Sequence, residues 1–229
     1  GGDLPGDIDV GMSRSIDGGQ TWELMQTIMD MGDAPQWRYD GVGDPAVLVD
    51  RQTNTIWVAA LWSHGNRGWS GSGPGTQPEE TGQLMLVSSE DDGLTWSAPK
   101  SITSQVKQPD WSLLLQGPGK GISLQDGTLV FPAQYQDSVK NKRIPRSTIL
   151  FSKDHGKTWQ LIDTPIRPGD ESKVIELADE TLMVNSRLNG KGYRGVHRSA
   201  DDGKTWDYEM DLTQVDPGCN GSILRYTSI

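Results

Sequence analysis

The chain has 229 residues, with 21 basic and 31 acidic side chains and a net charge of −10 at pH 7. No stretch approaches the ~18 consecutive apolar residues of a membrane-spanning helix, and no basic stripe points to nucleic acid. An acidic surface repels anions at long range, so any anion site needs its own local arginines.

In chain order, the predicted elements begin with Asp3-Leu-Pro-Gly6, which reads as a loop turn. A strand-like run, 8–14, then leads into the eight-residue motif Ser-x-Asp-x-Gly-x-Thr-Trp at Ser15–Trp22, and 23–28 is strand-like again. The motif recurs at Ser89–Trp96, Ser152–Trp159 and Ser199–Trp206 with all five fixed letters kept. A self-similar unit recurring along a chain marks a repeat architecture. Inside each copy the Asp can accept backbone N–H groups a few residues on. Gly19, Gly93, Gly156 and Gly203 can take positive φ without a Cβ clash. Thr and Trp restart the strand, with the Trp expected to plug the turn onto its sheet. Asp17, Asp91, Asp154 and Asp201 therefore serve the scaffold rather than catalysis.

Between the motifs, strands are predicted at 44–50, 55–62, 83–89, 121–124, 128–135, 147–152, 173–177, 181–186, 193–199 and 221–226. Gln125-Asp-Gly-Thr128 is a tight-hairpin signal. Ala178-Asp-Glu-Thr181 holds the matching place two boxes later, with weaker turn chemistry. Segments 63–82 and 105–121 are polar and rich in Gly and Pro, and read as long loops that can carry binding residues. No long stretch has helical periodicity. A lone cysteine, Cys219, excludes an intrachain disulfide and reads as a small buried apolar residue. His64, His155 and His197 share no metal-ligand spacing, and His155 is expected to be exposed. Trp62, Trp69 and Trp111 could stack on sugars, although core packing is the more ordinary role of a Trp in a β protein.

The four motifs resemble the Asp-box repeats of sialidases and related β-propellers, and further strings extend the resemblance to bacterial exo-α-sialidases over essentially the whole chain. Asp3-Leu-Pro-Gly6 looks like the family's Asp-x-Pro-Gly segment, whose Asp is the general acid/base. Gly43-Asp-Pro45 is similar to the segment whose Asp lines the pocket near the substrate N-acetyl group, which implies Asp44. Glu171-Ser-Lys-Val-Ile-Glu-Leu177 resembles the Glu-x-Lys-x-x-Glu-Leu pattern, whose first Glu is catalytic. Asn185-Ser-Arg187 follows at the family's separation, and its Arg binds the substrate carboxylate. Taken on residue physics alone, Asp3, Glu171 and Arg187 are ordinary loop and surface residues, and Asp44 is as much a turn residue as a ligand.

The resemblance implies an all-β, six-bladed propeller with about four to five blades represented, read as a single domain over 1–229 and truncated at both ends. It implies no cofactor and no metal, and sialylated glycans as substrates. A secreted, periplasmic or cell-surface location follows from that substrate class. Sialic acid carries a carboxylate on its anomeric carbon, so an anionic nucleophile would approach against charge repulsion; sialidases use a Tyr instead. A phenol with a pKa near 10 needs a neighbouring base, and by resemblance Glu171 is that base. Two of the family's three arginines and the nucleophilic Tyr are not matched, and Tyr226 follows the fourth box too closely to be that Tyr. The expectation is that this polypeptide alone is a poor catalyst. A non-catalytic Asp-box propeller binding glycans or proteins, and an Asp-box glycanase of other specificity, are the alternatives.

Overall fold

The computed structural model of the chain describes residues 2–32, 40–65, 67–139, 142–162 and 164–226. The strands form four sheets that succeed one another along the chain. The first pairs β1 (Val10–Met12) with β2 (Gln26–Met29). The second contains β3 (Val42–Val49), β4 (Ile56–Trp62), β5 (Gln83–Ser89) and β6 (Lys100–Ser101) in antiparallel order. The third is built on β7 (Leu113–Gln116), β10 (Leu129–Val139), β11 (Lys142–Ser152) and β12 (Gln160–Leu161). Short β8 (Gly119–Lys120) runs parallel to β3, and β9 (Ile122–Ser123) pairs with β10, so the segment after β7 stitches the second sheet to the third. The fourth sheet is the meander β13 (Ser172–Glu176), β14 (Leu182–Ser186), β15 (Tyr193–Ser199) and β16 (Asp207–Val215). No helix of the described residues is long and apolar enough to cross a membrane.

The sheets stack face to face, so their central strands are apolar on both sides. In β4, Val58 and Ala60 pack toward the first sheet while Ala59 packs toward the third. In β10, Leu129, Phe131, Ala133 and Tyr135 face the second sheet and Val130 faces the fourth. A strand whose alternate residues feed two cores reads as a continuous apolar run. Each seam then holds a core, between sheets one and two, two and three, and three and four, and a smaller cluster of Leu61, Leu113 and Leu115 also joins sheets two and three.

Every Asp-box links the last two strands of its sheet and closes the same way. In the second, Gly93 N donates to Ser89 Oγ at 2.8 Å, Thr95 N to Asp91 Oδ1 at 2.9 Å, and Thr95 Oγ1 to Asp91 Oδ2 at 2.6 Å. The other three boxes repeat these bonds to within 0.1 Å. The Trp rings plug the seams unequally. Trp159 is 1% exposed, edge-on to Trp57 across the seam and tilted against Phe131. Trp96 and Trp206 are partly buried, whereas Trp22 is 65% exposed. The box Trp packs toward the preceding sheet, and among the described residues no sheet precedes the one that carries Trp22.

Hydrogen bonds from Thr and Ser hold all four box carboxyls near pKa 2, below the ordinary 3.8. The folded chain therefore binds fewer protons here than the unfolded chain between those values. Their contribution to stability is complete above about pH 4 and is lost as pH falls toward 2. Urea melts at stepped pH are expected to show this loss, and Asp154→Asn to lower stability at pH 6 while flattening its dependence below pH 4.

Several elements depart from the sequence reading. β7 lies inside the expected 105–121 loop; all four of its residues are buried, so it shows no polar alternation. A one-turn helix, Thr103–Val106, precedes it. β16 is a largely exposed edge strand whose polar composition hides it. Residues 221–226 find no ladder partner and are irregular, and Tyr226 is 96% exposed. Cys219 is exposed, not buried, because it lies in the irregular stretch after Pro217-Gly218. The 125–128 hairpin is as expected, with Gly127 at φ +91°. The 178–181 turn forms with Glu180 at φ +67° and Thr181 N on Asp179 Oδ1. His155 is exposed in part, yet its Nδ1 lies 2.8 Å from the buried Asp50 carboxylate, clasping the third box to the β3–β4 turn.

Candidate functional site

The carboxylates singled out by sequence arrive from three separate segments. Asp3 is fixed by its neighbour: Leu4 packs on Leu61, Leu113 and Leu115. The turn closes through Gly6 N to Asp3 O at 2.8 Å and Leu4 N to Asp3 Oδ1 at 2.7 Å. Gly41 is required beneath it, because a Cβ there would run into the Gly6 carbonyl and the Leu4 side chain.

Asp44 sits in an irregularity of β3, where the register with β4 shifts between Gly43 and Ala46. Its φ is +54°, in front of a proline, a position that normally favours extended backbone. A left-handed non-glycine residue costs about 1–2 kcal/mol, so the surroundings must impose it. The Gln116 side-chain amide does so in part, donating to the Asp44 carbonyl. The residue keeps accessible surface, yet protein crowds its carboxyl enough for lost hydration to raise the pKa. The nearby charges of Asp3 and Glu171 raise it further, and Lys173 opposes them.

Glu171 and Arg187 stand directly beyond the last rung of the β13–β14 ladder, Ser172 opposite Ser186. Arg187 N donates to Glu171 O at 2.8 Å, and Arg187 Nη1 lies 3.2 Å from Glu171 Oε2. Both side chains are partly exposed, while Arg187 Nε is buried without a partner. Ser147 Oγ of the third sheet donates to Asp170 O at 2.7 Å and so anchors this corner.

Beneath these groups lies a buried polar layer that sequence reading missed. The Lys173 ammonium donates to the Pro118 carbonyl, which also accepts Asn220 Nδ2 at 3.1 Å. Arg194 Nε donates to Asn185 Oδ1 at 2.7 Å and Nη1 to Cys219 O at 3.1 Å, with Asp216 at 3.7 Å. Asp216 accepts Leu188 N at 3.1 Å and thereby holds the residue next to Arg187. Lys173 and Asn185 stand inside the strings quoted above, but no role was read for them there; Arg194 and Asp216 gave no signal beyond their polarity.

The structure thus gathers Asp3, Asp44, Glu171 and Arg187 at one place. A model of the BNR repeat-like domain matches residues 1–224. The chain belongs to the BNR repeat-like family. Within it, the chain is 48% identical to a sialidase of Bacteroides fragilis over 210 residues, which is 89% of this chain and 38% of that protein. It is 34% identical to a sialidase of Paraclostridium sordellii, over 96% of this chain and 56% of the relative. The solved Hadza microbial sialidase Hz136 superposes with a TM-score of 0.87 at 48% identity, over 95% of this chain and 43% of that one. The chain therefore spans between about two fifths and just over half of the length of these three relatives.

The weaker candidates of this BNR repeat-like chain take scaffold positions. Trp111 stacks on buried Tyr135 with ring centroids 3.8 Å apart. Trp62 joins the core between the first two sheets, its Nε1 3.3 Å from Asp40 Oδ2. The side chain of Trp69 lies outside the described residues. His64 is held against Asp40 at 2.5 Å, and His197 is fully buried beside Tyr208, its pKa pushed down to about 4 by burial. The three histidines occupy three different places.

Proposed function

We propose that this chain is the central part of a retaining exo-α-sialidase that removes terminal sialic acid from glycoconjugates. The observation that carries the reading is the Glu171–Arg187 pair set beside the Asp3 and Asp44 carboxylates. In an acidic protein, Arg187 supplies the local cation that an anionic sugar requires. Glu171 occupies one Nη1 donor, which leaves the other Nη donors for a substrate carboxylate. A nucleophilic Tyr and two further arginines come from the remaining length that the relatives possess.

In the first step the Tyr oxygen attacks the anomeric carbon, its proton passes to Glu171, and Asp3 gives its proton to the departing glycosidic oxygen. In the second step Asp3, now a carboxylate, takes a proton from water as the water displaces the Tyr oxygen, and Glu171 returns the phenol proton. Two displacements at one carbon retain its configuration. Asp44, with its raised pKa, is suited to hydrogen-bond the polar edge of the sugar near the N-acetyl group. The four sheets count as four of six propeller blades, and the enzyme works outside the cytoplasm, secreted, periplasmic or on the cell surface.

The test is hydrolysis of a sialoside by the full-length protein, followed by proton NMR. Sialic acid is expected to appear first as its α-anomer. First appearance of the β-anomer, or no release at all, would overturn the reading.

A further inference from the structure

Lys173 is an unusual residue to find under a cluster of carboxylates. It is 4% exposed, second in β13 and two residues from Glu171. Its stem crosses to the turn after β7, where the ammonium reaches the Pro118 carbonyl. Gly119, at φ +111°, leaves room for it: a Cβ there would stand 3.2 Å from Nζ. A buried ammonium with one carbonyl partner is poorly compensated for lost hydration, and burial does push its pKa down to about 8. The charges that face it are the carboxylates of Glu171 and Asp44 and the cations Arg194 and Lys120. Asp44 in turn faces two carboxylates, Asp3 and Glu171, and Lys173 is the cation that acts against them.

The negative charges of Asp3 and Glu171 act against ionisation of Asp44, and Lys173 offsets them. We propose that Lys173 is a positioning residue of this site, the buried countercharge beside the Asp44 carboxylate that also pins the Pro118–Gly119 turn against β13. The turn matters because Gln116, just before it, holds the left-handed Asp44 backbone. A single ammonium on one sheet thus serves both the charge and the placement of a site residue on another. As a contribution to catalysis this rests on the sialidase reading above; as a statement about ionisation it does not.

The experiment is a carbon-13 carboxyl NMR titration of the full-length protein, wild type against Lys173→Gln and Lys173→Arg. Gln can still donate to the Pro118 carbonyl but carries no charge. The Asp44 pKa is expected to rise by about one unit or more in Lys173→Gln, as loss of a nearby opposite charge requires. In Lys173→Arg it is expected to stay within about 0.3 units of wild type, since the charge is kept. An unchanged Asp44 titration in Lys173→Gln overturns the proposal, whether or not the protein turns over a sialoside. If Lys173→Gln does not fold, Lys173→Arg decides: an Asp44 pKa raised despite the retained charge overturns it, and an unmoved one supports it. Where wild-type turnover is measurable, the acidic limb of kcat/KM is expected to shift upward with the titration in Lys173→Gln. Failure of wild-type turnover alone removes the sialidase reading and leaves the titration result standing.

Discussion

Arg187→Lys in the full-length protein is expected to lower kcat/KM for a fluorogenic sialoside by about 10- to 100-fold, with a raised KM. Hydrogen bonds to charged groups are worth about 1.5–3 kcal/mol, and each 1.4 kcal/mol is tenfold. Lysine keeps the charge but cannot present two parallel N–H donors to a carboxylate. The lost interaction is made to a group that is anionic before and during reaction, so binding suffers first. Arg187 also holds Glu171 at 3.2 Å, while its own backbone N–H holds the Glu171 carbonyl at 2.8 Å. The backbone bond survives substitution, so Glu171 keeps its station and the effect reports mainly on carboxylate recognition. Kinetics with a fluorogenic sialoside and thermal melts of both proteins make the comparison. Wild-type kcat/KM in a folded Arg187→Lys variant would exclude a role for this guanidinium in binding an anionic sugar.

The parts of the molecule that could be read from sequence are those that repeat or that alternate. The boxes declare themselves because the same Ser, Asp, Gly and Thr atoms must close the same turn four times. Strands β4, β5 and β10 declare themselves as apolar runs, since both of their faces meet a neighbouring sheet, and β14 shows Leu182 and Val184 on its one packed face. β7 escaped because four buried residues between Gly- and Pro-rich turns look no different from a loop segment. β16 escaped because an exposed edge strand has no apolar face to display. The site divides in the same way. Asp3, Asp44, Glu171 and Arg187 were legible only through their resemblance to a family string, for nothing local separates them from surface residues. Lys173 and Pro118 are 55 positions apart, and Gln116 and Asp44 are 72 apart. No local pattern announces such a pair. The left-handed Asp44 was the least accessible of all, because the proline after it argues for the opposite conformation.

The same motif letter is expected to differ most in its energetic weight between the first and third boxes. Trp159→Ala should destabilise the 229-residue polypeptide by about 3–5 kcal/mol, lowering Tm by roughly 10 °C for a chain of this size. Its ring is 1% exposed, sits between Trp57 and Phe131, and donates through Nε1 to Gly156 O at 3.1 Å. Removing it opens a cavity in the largest core and leaves Trp57 without its edge-on partner. Trp22→Ala should change stability by no more than about 0.5 kcal/mol, because that ring is 65% exposed. Urea unfolding of the two variants makes the comparison, and equal costs would show that the box Trp stabilises its own turn rather than the seam. Repeating Trp22→Ala in the full-length protein extends the test beyond these four sheets. Ile16 and Leu24, close to Trp22 in the chain, are exposed as well. If another sheet covers Trp22, the near-neutral substitution becomes a costly one, approaching Trp159→Ala. A cost that stays near zero in both contexts would mean that no further sheet packs there.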